Sequence, residues 1–202
     1  MSPAASRRWL IGDSLDVAPL LLGCLLQSDV DDVRVTVRLT EVEAYGGPGL
    51  DPDSHTFRGK TPRNLVMFGE VGHLYVYFTY GMHWCANVVM HDDGGVGAAL
   101  LRAGEVVDGV EIARQRRPGS RDRDLARGPA RLTRALGIDG RLNGIDLYGP
   151  ASPIRLIRRP AEAGSVVVTG PRVGVHDPRP WRFSLDHPTV SPYRPAKPRR
   201  QG

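Results

Sequence analysis

Glutamate occurs twice within three residues, at Glu41 and Glu43, near the end of the run VRVTVRLTEVEAY from Val33 to Tyr45. Closely spaced carboxylates can take a proton from water or stabilise a developing positive charge, so proton-transfer chemistry would be sought here first. Both acids share the parity of Val33, Val35, Val37 and Leu39. Residues two apart on a strand face the same way, so an aliphatic stripe turns acidic without changing sides. Burying an unpaired carboxylate is costly, and carboxylates that sit on core-facing positions tend to shift their pKa or do chemistry. Two readings fit the pattern. The strand leaves the sheet or bulges after Leu39 and both acids are solvated, or the strand carries a reactive acid to the edge of a pocket.

Other reactive groups are sparse. The six histidines form no HExxH or HxxxH pair. His83, His91, Asp92 and Asp93 could offer nitrogen and oxygen ligands, in a stretch that also reads as a polar turn between strands. Cys24 and Cys85 are isolated, which excludes a cysteine-rich disulfide framework, a four-cysteine zinc site and a four-cysteine iron–sulfur cluster. Lys60 and Lys197 are the only lysines, so few amines are available for Schiff-base chemistry.

With 202 residues, 41% of them hydrophobic, the chain can bury a full core in one domain. No run approaches about 18 consecutive apolar residues, and MSPAASRRWL lacks the apolar stretch and cleavage site of a signal peptide, so a cytoplasmic location with no membrane partner is expected. The net charge of +5 is unevenly spread: residues 1–100 carry −5 and residues 101–202 carry +10. Of the 27 basic residues 25 are arginine, a choice that favours bidentate phosphate contacts. A polyanion partner is suggested, although a GC-rich genome would also enrich Arg, Gly, Ala and Pro together.

The elements that must position Glu41 and Glu43 can be read along the chain. Residues 1–13 read as a flexible lead, 14–194 as one domain and 195–202 as a basic disordered tail. A helical turn at Ser14–Leu22 and a strand at Cys24–Gln27 precede the acidic strand. A Gly, Pro and Asp-rich loop, Gly46–Arg63, begins directly after Tyr45, and loops of that length usually serve a site or are disordered. HLYVYFTYGMHWCANVVM (His73–Met90) alternates as two strands with a tight turn at Tyr80 and Gly81. Eight of the 13 aromatic residues fall between Tyr45 and Trp84. A strand at Ala98–Ala103, a helix from about Val106 to Arg117 and a second helix in RGPARLTRALGI follow, Pro129 suiting its first turn and Gly137 its C-cap. Short strands return in IRLI, SVVVT, RVGV and RFSL. This order is not alternating βαβ, which argues for an α+β domain with a mixed, mostly antiparallel sheet.

Several pieces in this order resemble the alkyladenine (3-methyladenine) DNA glycosylase family: TEVEAY (Thr40–Tyr45), SHTFRGKTPRN (Ser54–Asn64), LYVYFTYGMHWCANV (Leu74–Val88), ALLRAGE (Ala99–Glu105), GPARLTRALGI (Gly128–Ile138), PRVGV (Pro171–Val175) and WRFS (Trp181–Ser184). The resemblance implies a single domain of formyltransferase C-terminal-domain type, a curved sheet flanked by helices with a protruding β-hairpin. It also implies a monomeric, cofactor-free and metal-free enzyme that flips damaged purines out of double-stranded DNA and hydrolyses the N-glycosidic bond with an activated water, at the nucleoid of a bacterial cytoplasm.

Residue by residue, the resemblance makes Glu43 the general base, Arg102 the side chain holding water and carboxylate, and Val173 the main-chain carbonyl completing the water site. Tyr45 and Tyr77 would be the aromatic walls of the base pocket, His55 would meet the base's other face and edge, and Asn87 would discriminate against the amino group of normal guanine. Tyr80 would intercalate as a wedge and Met82 would pack beside it, while Arg63, Arg117 and Arg131 would contact phosphate. No strand-nicking lyase activity is expected. Asp51–Ser54 reads DPDS where vertebrate members of that family are Ala-rich, which would make the pocket mouth acidic and favour cationic lesions. Two other functions fit parts of the sequence: an inactive nucleic-acid-binding protein on the same scaffold, and a metal-dependent hydrolase using His83, His91 and Asp93.

Overall fold

A computed structural model describes residues 7–196. Eight strands form one antiparallel sheet: β1 (Leu25–Ser28), β2 (Val35–Tyr45), β3 (Leu74–Thr79), β4 (His83–Val89), β5 (Ala98–Asp108), β6 (Ile154–Ile157), β7 (Val167–Gly170) and β8 (Arg182–Leu185). The order is β3-β4-β5-β2-β1-β6. One edge of β2 pairs with β5; the other pairs first with β1 and then, at Glu41–Glu43, with β8, which carries β7. The short helices are α1 (Ser14–Val17), α2 (Val110–Arg116) and α3 (Pro129–Leu136).

The acidic pair owes its position to a bulge. Leu39 lies opposite Gly104, Glu41 opposite Ala103 and Val42 opposite Leu101, so Thr40 and Arg102 fall outside the regular pairing. Inserting one residue reverses which side successive side chains face. The core is therefore reached from Val35, Val37 and Leu39 before the bulge and from Val42 and Ala44 after it. Glu41 and Glu43 then face away from that core. The bulge expected from the first reading is present, but its consequence differs: both acids are 0% exposed, covered by the chain at Val173 and at Thr189–Ser191.

The main core fills the other face, where Val42, Ala44, Ala99, Leu101, Ala86, Val88, Leu74 and Val76 meet Leu132, Ala135 and Leu136 of α3. Each valine or leucine side chain buried there contributes about 1.5–3 kcal/mol of hydrophobic stabilisation. Pro129 and Gly137 bound α3 as expected, Gly137 adopting φ +72 at the C-cap. Thr133 ties the helix to the sheet by donating to the Trp84 carbonyl at 2.9 Å.

Two expected elements differ. Val106–Asp108 is not helical: β5 continues through it, with Val106 opposite Val37 and Asp108 opposite Thr36, and helix α2 begins only after Gly109, whose φ is +70. RVGV is a turn rather than a strand, because the Val173 amide is committed to Glu43 and Gly174 takes φ +76. At the N-terminal end of the described residues, Leu10 is fully buried and Arg7 is bound to Glu70 and Asp146, so this part of the expected lead packs on the domain. Residues 1–6 and 197–202, including Lys197 and most of the basic tail, lie outside the described residues.

Candidate active site

On the sheet face turned away from the main core, a cavity of about 250 Å³ is bounded by Glu43, Tyr45, Arg102, Leu100, Asn87, Tyr77 and the turn at Val173. Glu43 lies opposite Leu100, Leu100 opposite Asn87, and Asn87 opposite Tyr75. Directly opposed residues share a face, so this register lines up residues of four strands in one row, with polar groups from β2, β4 and β3 on either side of Leu100. The volume lies below the usual range for drug-sized ligands, about 300–1,000 Å³, and suits one small molecule.

Both oxygens of Glu43 are engaged. The Val173 amide donates to Oε1 at 2.6 Å, the Tyr45 hydroxyl donates to Oε2 at 3.1 Å, and Nη1 of Arg102 lies 3.2 Å from Oε2. Burial raises the carboxyl pKa above its ordinary value, and Arg102, the Val173 amide and Tyr45 oppose that rise. A buried carboxylate with an elevated pKa binds a proton more readily than a solvated one, as a general base requires.

Glu41 has a different environment. Arg102 Nε donates to its Oε1 at 2.8 Å, Arg182 lies 3.2 Å from the same oxygen, and the Ser191 amide and hydroxyl donate at 2.7 and 2.9 Å. It is an ion-paired structural acid behind the cavity wall, and it orients Arg102 toward Glu43. The two acids that looked alike in sequence thus divide into one that borders the cavity and one that does not.

Tyr45, Tyr77 and His55 all border the cavity. The His55 and Tyr77 ring centroids are 4.5 Å apart in an edge-to-face arrangement, and His55 Nδ1 is 3.0 Å from the Tyr75 hydroxyl. Burial, with Arg63 second, lowers the His55 pKa, so the imidazole is neutral near pH 7. Burial raises the Tyr45 pKa well above ten, with Glu43 adding to the rise, and keeps its hydroxyl protonated as a donor. Asn87 spends its amide on the Tyr75 carbonyl at 3.2 Å while facing the cavity.

The hairpin tip is where Tyr80 and Met82 stand, 86% and 69% exposed. Tyr80 and Gly81 both have positive φ, +52 and +67, and the Met82 amide donates to the Thr79 carbonyl. Turns of this kind favour Asn-Gly, so a tyrosine in the left-handed region is strained as well as exposed. Strain of this sort clusters at functional sites. Arg63 is exposed near Tyr77, its guanidinium 5.8 Å from that ring. Arg117 and Arg131 join Arg134 and His83 around a shallow surface cavity at the start of α3, which shares Pro129 with the Glu43 cavity. Burial, then the neighbouring Arg131 and Arg134, depresses the Arg117 pKa.

Several sequence expectations do not converge here. His83 begins β4 and His91 lies beyond its other end, roughly 26 Å away along an extended strand, so the histidine–aspartate metal group does not assemble. His91 also places its two ring nitrogens 2.7 and 2.9 Å from the carbonyls of Asp92 and Gly69. Asp51 does not acidify the cavity mouth: it is fully buried and bidentate to Arg172, while Asp53 borders the cavity. Val173 meets Glu43 through its amide, an interaction the sequence did not suggest. Tyr75, Arg172 and Asn64 were also missed. Asn64 donates to the His55 carbonyl at 2.8 Å and fixes the loop; its place in TPRN and Tyr75's parity with Tyr77 were the available signals.

The chain matches the family model for Methylpurine-DNA glycosylase (MPG) over residues 8–189. It is 49% identical over 202 residues to a protein of Streptomyces avermitilis, covering 97% of this chain and 94% of the relative. A Nocardia farcinica protein is 51% identical over 201 residues, covering 96% and 92%, and a Leifsonia xyli subsp. xyli protein is 48% identical over 195 residues, covering 91% and 90%. All three carry the name "Putative 3-methyladenine DNA glycosylase".

Proposed function

The chain belongs to the methylpurine-DNA glycosylase family, and from that premise we infer that it initiates base excision repair by hydrolysing the bond between a damaged purine and its deoxyribose. A single observation carries the assignment of the reacting group: Glu43 is fully buried, borders the cavity, and is held by the Val173 amide, the Tyr45 hydroxyl and Arg102.

A base inside a duplex cannot reach such a cavity, so the lesion nucleotide is extruded and its purine enters between Tyr45 and the pair formed by Tyr77 and His55. Tyr80 enters the vacated stack, with Met82 beside it, offsetting part of the unstacking cost of a few kcal/mol. Asn87 reads the purine edge. Bond breaking sends the C1′–N electron pair to the purine and leaves a sugar with oxocarbenium character. A water held by Glu43, Arg102 and the Val173 carbonyl adds its oxygen to C1′, and Glu43 takes its proton. The carboxylate also stabilises the positive sugar. Arg63, Arg117 and Arg131 hold phosphates, the last two in the basic cavity that adjoins the site at Pro129. The enzyme acts as a monomer on duplex DNA and is monofunctional: water is the nucleophile, and Lys60 packs its ammonium 5.8 Å from the Phe68 ring instead of bordering the cavity.

The test is release of free base from an alkylated duplex. Wild-type protein releases methylated purine, whereas Glu43→Gln still binds a duplex carrying an abasic analogue while its base release falls by orders of magnitude. Loss of both binding and release in a folded variant would refute Glu43 as the base and mark it as structural. A scaffold that only binds DNA would show affinity in the wild type with no released base.

A further inference from the structure

We propose that Arg172, braced by Asp51, is the positioning residue that holds the Glu43 carboxylate in its reactive geometry; this rests on the glycosylase reading of Glu43. Arg172 is 0% exposed. Its Nη1 donates to Asp51 Oδ2 at 2.6 Å and to the Ala44 carbonyl at 3.2 Å, and its Nη2 donates to Asp51 Oδ1 at 2.8 Å. Paired N–H donors on a carboxylate fix orientation as well as distance.

Two routes lead from this guanidinium to Glu43. Along the chain, the residue after Arg172 is Val173, whose amide holds Oε1 of Glu43. Through space, the guanidinium carbon lies 4.4 Å from the centre of the Tyr45 ring, whose hydroxyl holds Oε2. The Ala44 carbonyl that Arg172 grips lies between Glu43 and Tyr45 on β2. One buried cation therefore fixes both hydrogen-bond donors of the base, and it clamps the turn carrying Val173 against the strand carrying Glu43. Trp181 covers it at 5.0 Å, and Asp177 and Asp53 lie 3.4 and 3.7 Å from Nη2. The same guanidinium packs against one face of Tyr45, leaving the other for the extruded purine.

A clamp that served folding alone would leave the proton affinity of Glu43 untouched. A positioning clamp would not, because the Val173 and Tyr45 hydrogen bonds hold the Glu43 pKa down against burial. Slackening them moves the pKa further up. The other groups facing Glu43 are Arg102 on β5, Glu41 and Arg182 in the neighbouring ion pairs, and the hydroxyl and thiol of Tyr77 and Cys85. None of these touches Arg172, so they stay constant across the test.

The experiment measures single-turnover base release against pH, with lesion-duplex affinity, for the full chain and for Asp51→Asn, Arg172→Lys and Arg172→Gln. Should Arg172→Gln fail to fold, Asp51→Asn still tests the proposal, since Arg172 keeps Asp177 and Asp53. In Asp51→Asn the release rate should fall about tenfold or more while affinity changes less than about threefold, as misplacement of a reacting group predicts. The acid limb of its rate profile should move to higher pH, and Arg172→Lys should lie between Asp51→Asn and wild type. Leu156→Ala, a core change on β6 far from the site, should lower stability with the limb unmoved. An unmoved limb in Asp51→Asn, or a rate loss matching only its unfolded fraction, overturns the proposal. Full activity in Glu43→Gln would instead overturn the glycosylase reading of Glu43, whatever the Arg172 variants do.

Discussion

Tyr45 donates its hydroxyl to Oε2 of Glu43 at 3.1 Å, from two residues further along the same face of β2. The aromatic wall of the cavity and its buried carboxylate are therefore one mechanical unit. On the proposed reading, a purine stacked on Tyr45 would be registered against Glu43 by the rise of a strand, about 3.3 Å per residue, and not by a flexible loop. Rigid mounting of this kind is what effective positioning of reactants needs.

Replacing Glu43 by Gln should cut base release by roughly 10²–10⁴-fold, the range for a lost general base. It should also stabilise the fold. The folded-state pKa of Glu43 is raised above its unfolded value, so the group favours folding below the unfolded pKa and loses that contribution as pH rises through the folded pKa. At pH 7 the native state holds a carboxylate that burial disfavours, and an amide removes that penalty while Arg102 keeps Glu41. Thermal melts should show Glu43→Gln melting above wild type at pH 7, with the difference shrinking toward pH 4. A variant less stable than wild type at pH 7 contradicts this.

The same shift sets the pH dependence of the reaction. Only ionised Glu43 can accept a proton from water, so base release should decline on acidification at a pH above the ordinary glutamate value. Single-turnover rates on one duplex between pH 4.5 and 8 check this, and a limb at or below that ordinary value contradicts it. The acid limb should vanish in Glu43→Gln, leaving a flat low rate.

Much of this site was legible in the chain, for reasons that are local. Parity on β2 drew attention to Glu41 and Glu43 together, the family resemblance separated Glu43 and assigned Tyr77, and the Tyr80-Gly81 pair marked the hairpin tip. What escaped depends on partners distant in sequence. The bulge after Leu39 was open to the sequence, but the burial of both acids beyond it was not, because it depends on the Val173 and Ser191 amides, 130 and 150 residues away. The burial of Arg172 depends on Asp51, 121 residues earlier, and its run RVGV alternates like a strand although the Val173 amide serves Glu43. Val106–Asp108 reads from the sequence as the start of a helix, and pairing with Thr36 and Val37 makes it strand instead.

Tyr80→Ala should weaken binding to a lesion duplex by about tenfold or more, since a few kcal/mol of unstacking lose their compensation. Stability should change by less than about 0.5 kcal/mol or rise, because the side chain is exposed and a surface substitution there removes no packing. Tyr80→Gly should raise stability further by relieving the positive φ, while impairing binding equally. Equal affinity of wild type and both variants for the lesion duplex would exclude intercalation by Tyr80.

Arg131→Ala should weaken binding to lesion and undamaged duplexes alike, because an arginine on a phosphate reads no base information. The slope of log affinity against log salt should shrink by about 0.9 for each phosphate that the variant no longer neutralises. Titrations at several salt concentrations measure it, and an unchanged slope would return Arg131 to ordinary surface charge.

Glu41→Gln separates the two acids most directly. The substitution removes a fully buried charge from Arg102 and Arg182 together, and losing one partner of a buried ion pair costs about 3–5 kcal/mol. Glu43→Gln and Glu41→Gln are the same chemical change two residues apart on one strand, yet they should move stability in opposite directions at pH 7. Activity should follow a different pattern. Folded Glu41→Gln retains Glu43 and the Val173 and Tyr45 donors, so it should keep measurable base release, reduced by the freer Arg102. Chemical denaturation and single-turnover assays on the pair check both halves, and equal destabilisation by the two substitutions would show that the bulge at Thr40 does not assign them different roles.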